Sequence, residues 1–128
     1  MYRNAELKVG LGEAMGMVFE AAGHETVYVA GDTIWRPEVD QAIQTFKPDV
    51  IVLNTGNALM DGYKESIIMG KEDTYHATQK APNAKIVAVH MDAINHMSVT
   101  RAQLAEYVKD KGIQDKVLIP IDGEMLSF

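Results

Sequence analysis

The apolar residues fall into short runs of two periods. Residues 14–21 (AMGMVFEA) and 25–30 (ETVYVA) read as strands separated only by Ala22-Gly23-His24, which predicts an antiparallel hairpin. From Pro37 the period changes. Val39, Ala42, Ile43 and Phe46 recur at i, i+3, i+4 and i+7, one apolar face of a helix. Proline suits the first helical position, and Lys47-Pro48 ends the helix because a residue preceding proline disfavours helical geometry. Residues 49–54 (DVIVLN) have no polar alternation, which predicts a buried strand of a parallel sheet.

The second half repeats the alternation. The stretch TGNALMDGYKESIIM is a loop long enough to be functional. A helix is predicted over 71–80, stopped by Ala81-Pro82-Asn83, and a buried strand over 84–90 (AKIVAVH). The loop MDAINHMSV leads to Thr100 and Gln103, spaced as a capping box for a helix over 101–111 that Gly112 terminates. A last strand covers 116–119 (KVLI), followed by Pro120-Ile121-Asp122-Gly123-Glu124. Strands joined by helices pair in parallel through right-handed crossovers. The expected fold is one α/β domain over 1–128, with a single mixed, mostly parallel sheet, an N-terminal hairpin at its edge and helices on one face.

Composition adds limits. With 128 residues, 47% hydrophobic and 23% charged, the chain has material for a real core. A net charge of −6 repels phosphate backbones, so no nucleic acid partner is expected. The absence of cysteine excludes disulfides, thiolate metal sites and cysteine nucleophiles. No apolar run approaches a bilayer-spanning length and the start MYRNAELKVGLGE has no signal-peptide core, so a soluble cytoplasmic protein without membrane contact is expected.

Ligands of parallel α/β sheets bind beyond the carboxyl ends of the strands. Four polar clusters follow strands here: Gly31-Asp32-Thr33, Asn54-Thr55-Gly56, His90-Met91-Asp92 and Asp122-Gly123-Glu124. If the strands are parallel, these clusters share one rim. Asp32 and His90 supply a carboxylate and an imidazole, donors that suit zinc and also manganese or iron. His96 lies in the loop beyond His90 and can reach the same rim. Each residue also has a plain structural reading: Asp32 as a turn cap, His90 as a packed strand end, and Asn54, Thr55 and Asp122 as turn closures. His24 and His76 read as solvated or packed. Gly10, Gly12 and Gly16 do not have dinucleotide-binding spacing and precede a strand, and the chain has neither a phosphate-binding P-loop nor a nucleophile elbow. The methionines read as gap-fillers and Trp35 as core or pocket lip.

The segments GDTIWRPEVDQAI, DVIVLNTGNA, IIMGKED and AVHMDAINH resemble the metallo-β-lactamase superfamily, in particular its metal-dependent hydrolases related to ascorbate-6-phosphate lactonases. The resemblance runs from about Gly12 to Glu124 and covers only the second half of that family's four-layered αββα sandwich. It implies metal-ligand roles for Asp32 and His90. It implies a substrate contact at His96, which could orient substrate or act in proton transfer. The shared rim, not the resemblance, makes Thr33, Asn54, Thr55 and Asp122 candidate substrate-binding residues. The family's His-x-His-x-Asp-His motif belongs to its first half, and no His-x-His occurs among the four histidines here. Where the family often places another histidine ligand, this chain has Val9-Gly10-Leu11-Gly12.

Three functions follow as expectations. The first is a divalent-metal-dependent hydrolase of an ester, lactone or phosphoester-type small molecule, incomplete in this chain. The second is a non-catalytic truncated paralogue from which metal has been lost. The third is a small-ligand-binding α/β module. A half-sandwich exposes an apolar sheet face, so a homodimer or a separate first-half chain is expected as partner.

Overall fold

A computed structural model of the chain describes residues 9–128. Residues 1–8, which the sequence reading includes in the domain and in its start, lie outside the described residues. The elements in order are β1 (Met17–Phe19), β2 (Val27–Val29), α1 (Pro37–Phe46), β3 (Val50–Asn54), α2 (Lys71–Lys80), β4 (Lys85–Val89), α3 (Arg101–Asp110) and β5 (Val117–Leu118). They form one five-stranded sheet in the order β1-β2-β3-β4-β5. β1 and β2 pair antiparallel, and β2 through β5 are parallel. The expected hairpin and mixed sheet are therefore present.

The predicted strands are longer than the observed ones for local reasons. Gly31, at φ 74°, turns the chain off β2, so residues 14–16 have no strand to pair with. At the other edge, Pro120 offers no amide donor shortly after β5. The capping box of α3 forms as its spacing predicts: the Gln103 amide donates to the Thr100 hydroxyl, while the Gln103 side chain accepts from the Thr100 amide. The long loop after β3 is not loose. Leu59 pairs with Ser66 and Ala58 with Met97 in isolated antiparallel bridges.

Register sorts the sheet into two faces. The row Val18, Tyr28, Ile51, Ile86 and Val117 runs across all five strands, and its residues lie in or against the core with Val39 and Ile43 of α1, Ala77 of α2, and Leu104 and Val108 of α3. Consecutive parallel strands with right-handed crossovers put α1, α2 and α3 on this side. The row Met17, Val29, Val52, Val87 and Leu118 runs across the opposite face. None of α1, α2 and α3 packs on it; Met17 and Phe19 at its edge are 49% and 54% exposed, Val29, Val52 and Leu118 are half-buried, and Val87 is 6% exposed. The uninterrupted apolar character of DVIVLN thus has two causes: Ile51 and Leu53 enter the core, while Val50, itself buried, and half-buried Val52 point to the opposite side.

Tyr28 gives the core a pH signature. Burial raises its phenol pKa above the usual value. The unfolded chain then ionises first, so stability is unaffected below about pH 10 and falls as pH rises through the raised folded-state value. Urea midpoints at about pH 9 and about pH 11 should differ more for the wild type than for Tyr28→Phe. Equal losses in both proteins would remove Tyr28 as the cause.

Candidate metal and ligand rim

β2, β3 and β4 are parallel, so their carboxyl ends lie on one side, as the sequence predicts. After Ala30, the positive φ of Gly31 swings the chain so that Asp32 stands on this rim. A Cβ at Gly31 would lie 2.9 Å from the Met15 carbonyl oxygen, so the turn is closed to other residues on two counts. Asn54 ends β3 on the uncovered face, two residues beyond Val52. Its side-chain amide donates to Asp32 Oδ1 at 2.6 Å. His90 follows β4 directly, and its Nε2 lies 3.7 Å from the same oxygen. The three side chains form one cluster on the uncovered side of the sheet.

The backbone around His90 is strained. His90 and Asp92 have φ of 63° and 61°, the left-handed region that disfavours side chains, and they flank Met91, which is only 2% exposed. Such strain costs about 1–3 kcal/mol per residue and persists only where surroundings enforce it. Several contacts enforce it here. The Thr55 amide donates to the Val89 carbonyl at 2.9 Å, and Gly56 packs directly beneath the His90 carbonyl. The Asp92 carboxylate accepts from the Arg101 amide and from Arg101 Nη1, each at 3.2 Å. Arg101 also donates to the Pro120 carbonyl at 3.0 Å and pairs with Asp122. One guanidinium thus ties the His90 turn to the segment after β5.

The other predicted site residues take different places. Asp122 is held by Arg101 rather than by the Asp32 cluster. Thr33 and Thr55 are 7% and 0% exposed, with their hydroxyls donating to the Ile34 and Val89 carbonyls, so both shape the rim from inside. His96 lines a cleft of about 500 Å3 with Leu59, Met60, Asp61, Asn95, Met97 and Ser98. Among the described residues no hydrogen bond or ion pair joins its imidazole to Asp32 or His90. The sequence reading missed Arg101, although its place at the start of α3, beside a capping box and after a polar loop, was a usable signal. It also missed the clasp in which Asn57 donates to the Ser98 hydroxyl at 2.6 Å and that hydroxyl donates to the Asn57 carbonyl at 2.7 Å. The two residues are 41 positions apart, and no local pattern pairs them.

The donor pair can be tested against a metal ion. Bonds of about 2.0–2.2 Å at tetrahedral angles keep neighbouring ligand atoms roughly 3.4 Å apart. The 3.7 Å between Asp32 Oδ1 and His90 Nε2 matches two adjacent ligands after a few tenths of an ångström of adjustment. Asn54 leaves the second Asp32 oxygen available. Yet among the described residues no group of three or more His, Asp or Glu side chains can hold a metal. The chain therefore fits a metal as two members of a larger ligand set, not as a complete site.

No protein-family model matches the chain. Over 127 residues it is 42% identical to the Bacillus subtilis (strain 168) UPF0173 protein YddR, covering 98% of this chain and 49% of YddR. Its structure superposes with a TM-score of 0.93 on isothiocyanate hydrolase from Delia radicum gut bacteria, at 49% identity, covering 99% of this chain and 48% of that one. A possible metal-dependent hydrolase from Veillonella parvula DSM 2008 superposes with a TM-score of 0.91 at 44% identity, covering 97% and 47%. The chain spans about half the length of each of these relatives. It carries the α/β fold seen in about half of each of these hydrolase chains.

Proposed function

We propose that this chain supplies one half of a divalent-metal-dependent hydrolase whose site is completed by a second sheet docked on its uncovered face. The observation that carries this reading is that the Asp32–Asn54–His90 cluster and the apolar row Met17, Val29, Val52, Val87 and Leu118 lie on the same side of the sheet. A partner covering that row delivers its own groups to the cluster. The cover is a first-half unit of the same fold or a second copy of this one, and the assembly works in the cytoplasm.

Asp32 and His90 would hold the ion, which is zinc in the first instance, with manganese or iron as alternatives. Asn54 fixes the Asp32 oxygen that faces His90. His96 orients substrate or carries a proton from the neighbouring cleft. The chemistry a divalent ion supplies in such a place is ionisation of water near neutral pH. Substrates are small electrophiles. Isothiocyanates come first by likeness to the 49%-identical hydrolase, and esters, lactones and phosphoesters, including sugar-phosphate lactones, follow.

The test is turnover by the assembled protein of 2-phenylethyl isothiocyanate, a nitrophenyl ester and a lactone, with and without chelator. Asp32→Ala and His90→Ala are each expected to lower metal-dependent kcat/KM by about a hundredfold or more. Turnover indifferent to chelator and to both substitutions would contradict the reading. The incomplete donor set supports a second reading, a non-catalytic truncated paralogue or ligand-binding module. That reading predicts saturable metabolite binding and no turnover in any metal-loaded assembly.

A further inference from the structure

The cleft beside His96 has a composition of its own. Leu59, Met60 and Met97 give it an apolar wall, and Asp61, Asn95, His96 and Ser98 give it a polar margin. It is built from the loops after β3 and β4, so it opens on the same end of the sheet as Asp32 and His90. Those two loops are not independent. The Ala58–Met97 bridge, the Leu59 amide donating to the His96 carbonyl at 2.9 Å, and the Asn57–Ser98 clasp join them into one body. A further bridge, from Leu59 to Ser66, folds the first loop back on itself. Regular pairing of this kind inside connecting loops holds a shape, and the shape it holds is the cleft.

We infer that this cleft is the subsite for the non-reacting organic side chain of the substrate, and that Leu59, Met60 and Met97 set specificity for an aryl-alkyl or alkyl group. The inference rests on the hydrolase reading for the word substrate, but the binding of an apolar group stands without it. About 500 Å3 is room for a phenylethyl-sized group. Thioether side chains adapt their shape and make favourable contacts with aromatic rings. The polar margin, Asp61, Asn95, His96 and Ser98, suits a molecule with an apolar body and a polar end.

The probe is 2-phenylethanol, which has the side chain without a reactive group and needs no metal. The protein is the metal-free chain with methionine methyl groups labelled for nuclear magnetic resonance. Saturable shifts at Met60 and Met97, with Met15 and Met17 unmoved, are the expected result. Met60→Ser and Leu59→Ser should each weaken binding about fivefold to tenfold, because each removes apolar contact with the ring. Shifts confined to Met15 and Met17 would place the probe on the uncovered sheet face and overturn the inference. No saturable shift would overturn it as well. Failure of the hydrolase reading leaves a different trace, since it abolishes turnover and leaves probe binding intact.

Discussion

Replacing Val52 by aspartate should break the assembly proposed for this chain. Val52 is the central member of the apolar row on the uncovered face, flanked by Val29 on β2 and Val87 on β4. Two sheets packed face to face interdigitate such rows about 10 Å apart, which leaves no water for a carboxylate between them. An unpaired buried charge costs several kcal/mol, so association should weaken by a hundredfold or more. Sedimentation across a concentration series reads this directly. The wild-type chain is expected as a dimer, or as a poorly soluble species rescued by coexpression with a first-half chain. Val52→Asp should be monomeric in the first case and unrescued in the second. Ala102→Asp, on the exposed surface of α3, is the control and should behave as wild type. If Val52→Asp keeps the wild-type assembly, the uncovered face is not the interface.

The second large effect is expected at Gly56. Its φ is not positive, so glycine is not needed there for backbone freedom. It is needed for space: a Cβ would lie 2.4 Å from the His90 carbonyl oxygen and 2.4 Å from Met97 Sδ. Met97 can move, but the His90 carbonyl belongs to a strained turn already fixed by Asp92 and Arg101. Gly56→Ala should therefore destabilise the chain by about 2–3 kcal/mol, in the range of overpacked cores. It should also shift His90 away from Asp32 and lower metal affinity tenfold or more. Gly10→Ala, with nothing within 4 Å, should leave the urea midpoint unchanged. A Gly56→Ala protein with wild-type midpoint and wild-type metal uptake would mean that the contact beneath His90 has no role in holding the turn.

The parts of this fold that could be read from sequence are those with local causes. The i, i+3, i+4, i+7 pattern of Val39, Ala42, Ile43 and Phe46, and the Thr100–Gln103 capping box, act within one or two helical turns. Asp32 and His90 could be paired in advance because parallel strands bring their carboxyl ends together whatever the loops do. The structural weight of Gly56, Asn57 and Ser98 was hidden because each acts through contacts distant in sequence. The strain at His90 was hidden too, since nothing in VHMDA signals two left-handed residues. The face of DVIVLN left uncovered was hidden for another reason. A strand with apolar residues on both sides has the same sequence whether its second cover comes from its own chain or from a partner.

The claim that joins these observations is that Asp32 and His90 are half of a metal site completed across the uncovered face. The most direct measurement is metal content per chain in protein purified without added metal or chelator, wild type beside Asp32→Ala. The account predicts near-stoichiometric zinc, manganese or iron in the assembled wild type and its loss in Asp32→Ala. Metal far below stoichiometry in an assembled wild type, with no uptake when metal is added, would contradict it.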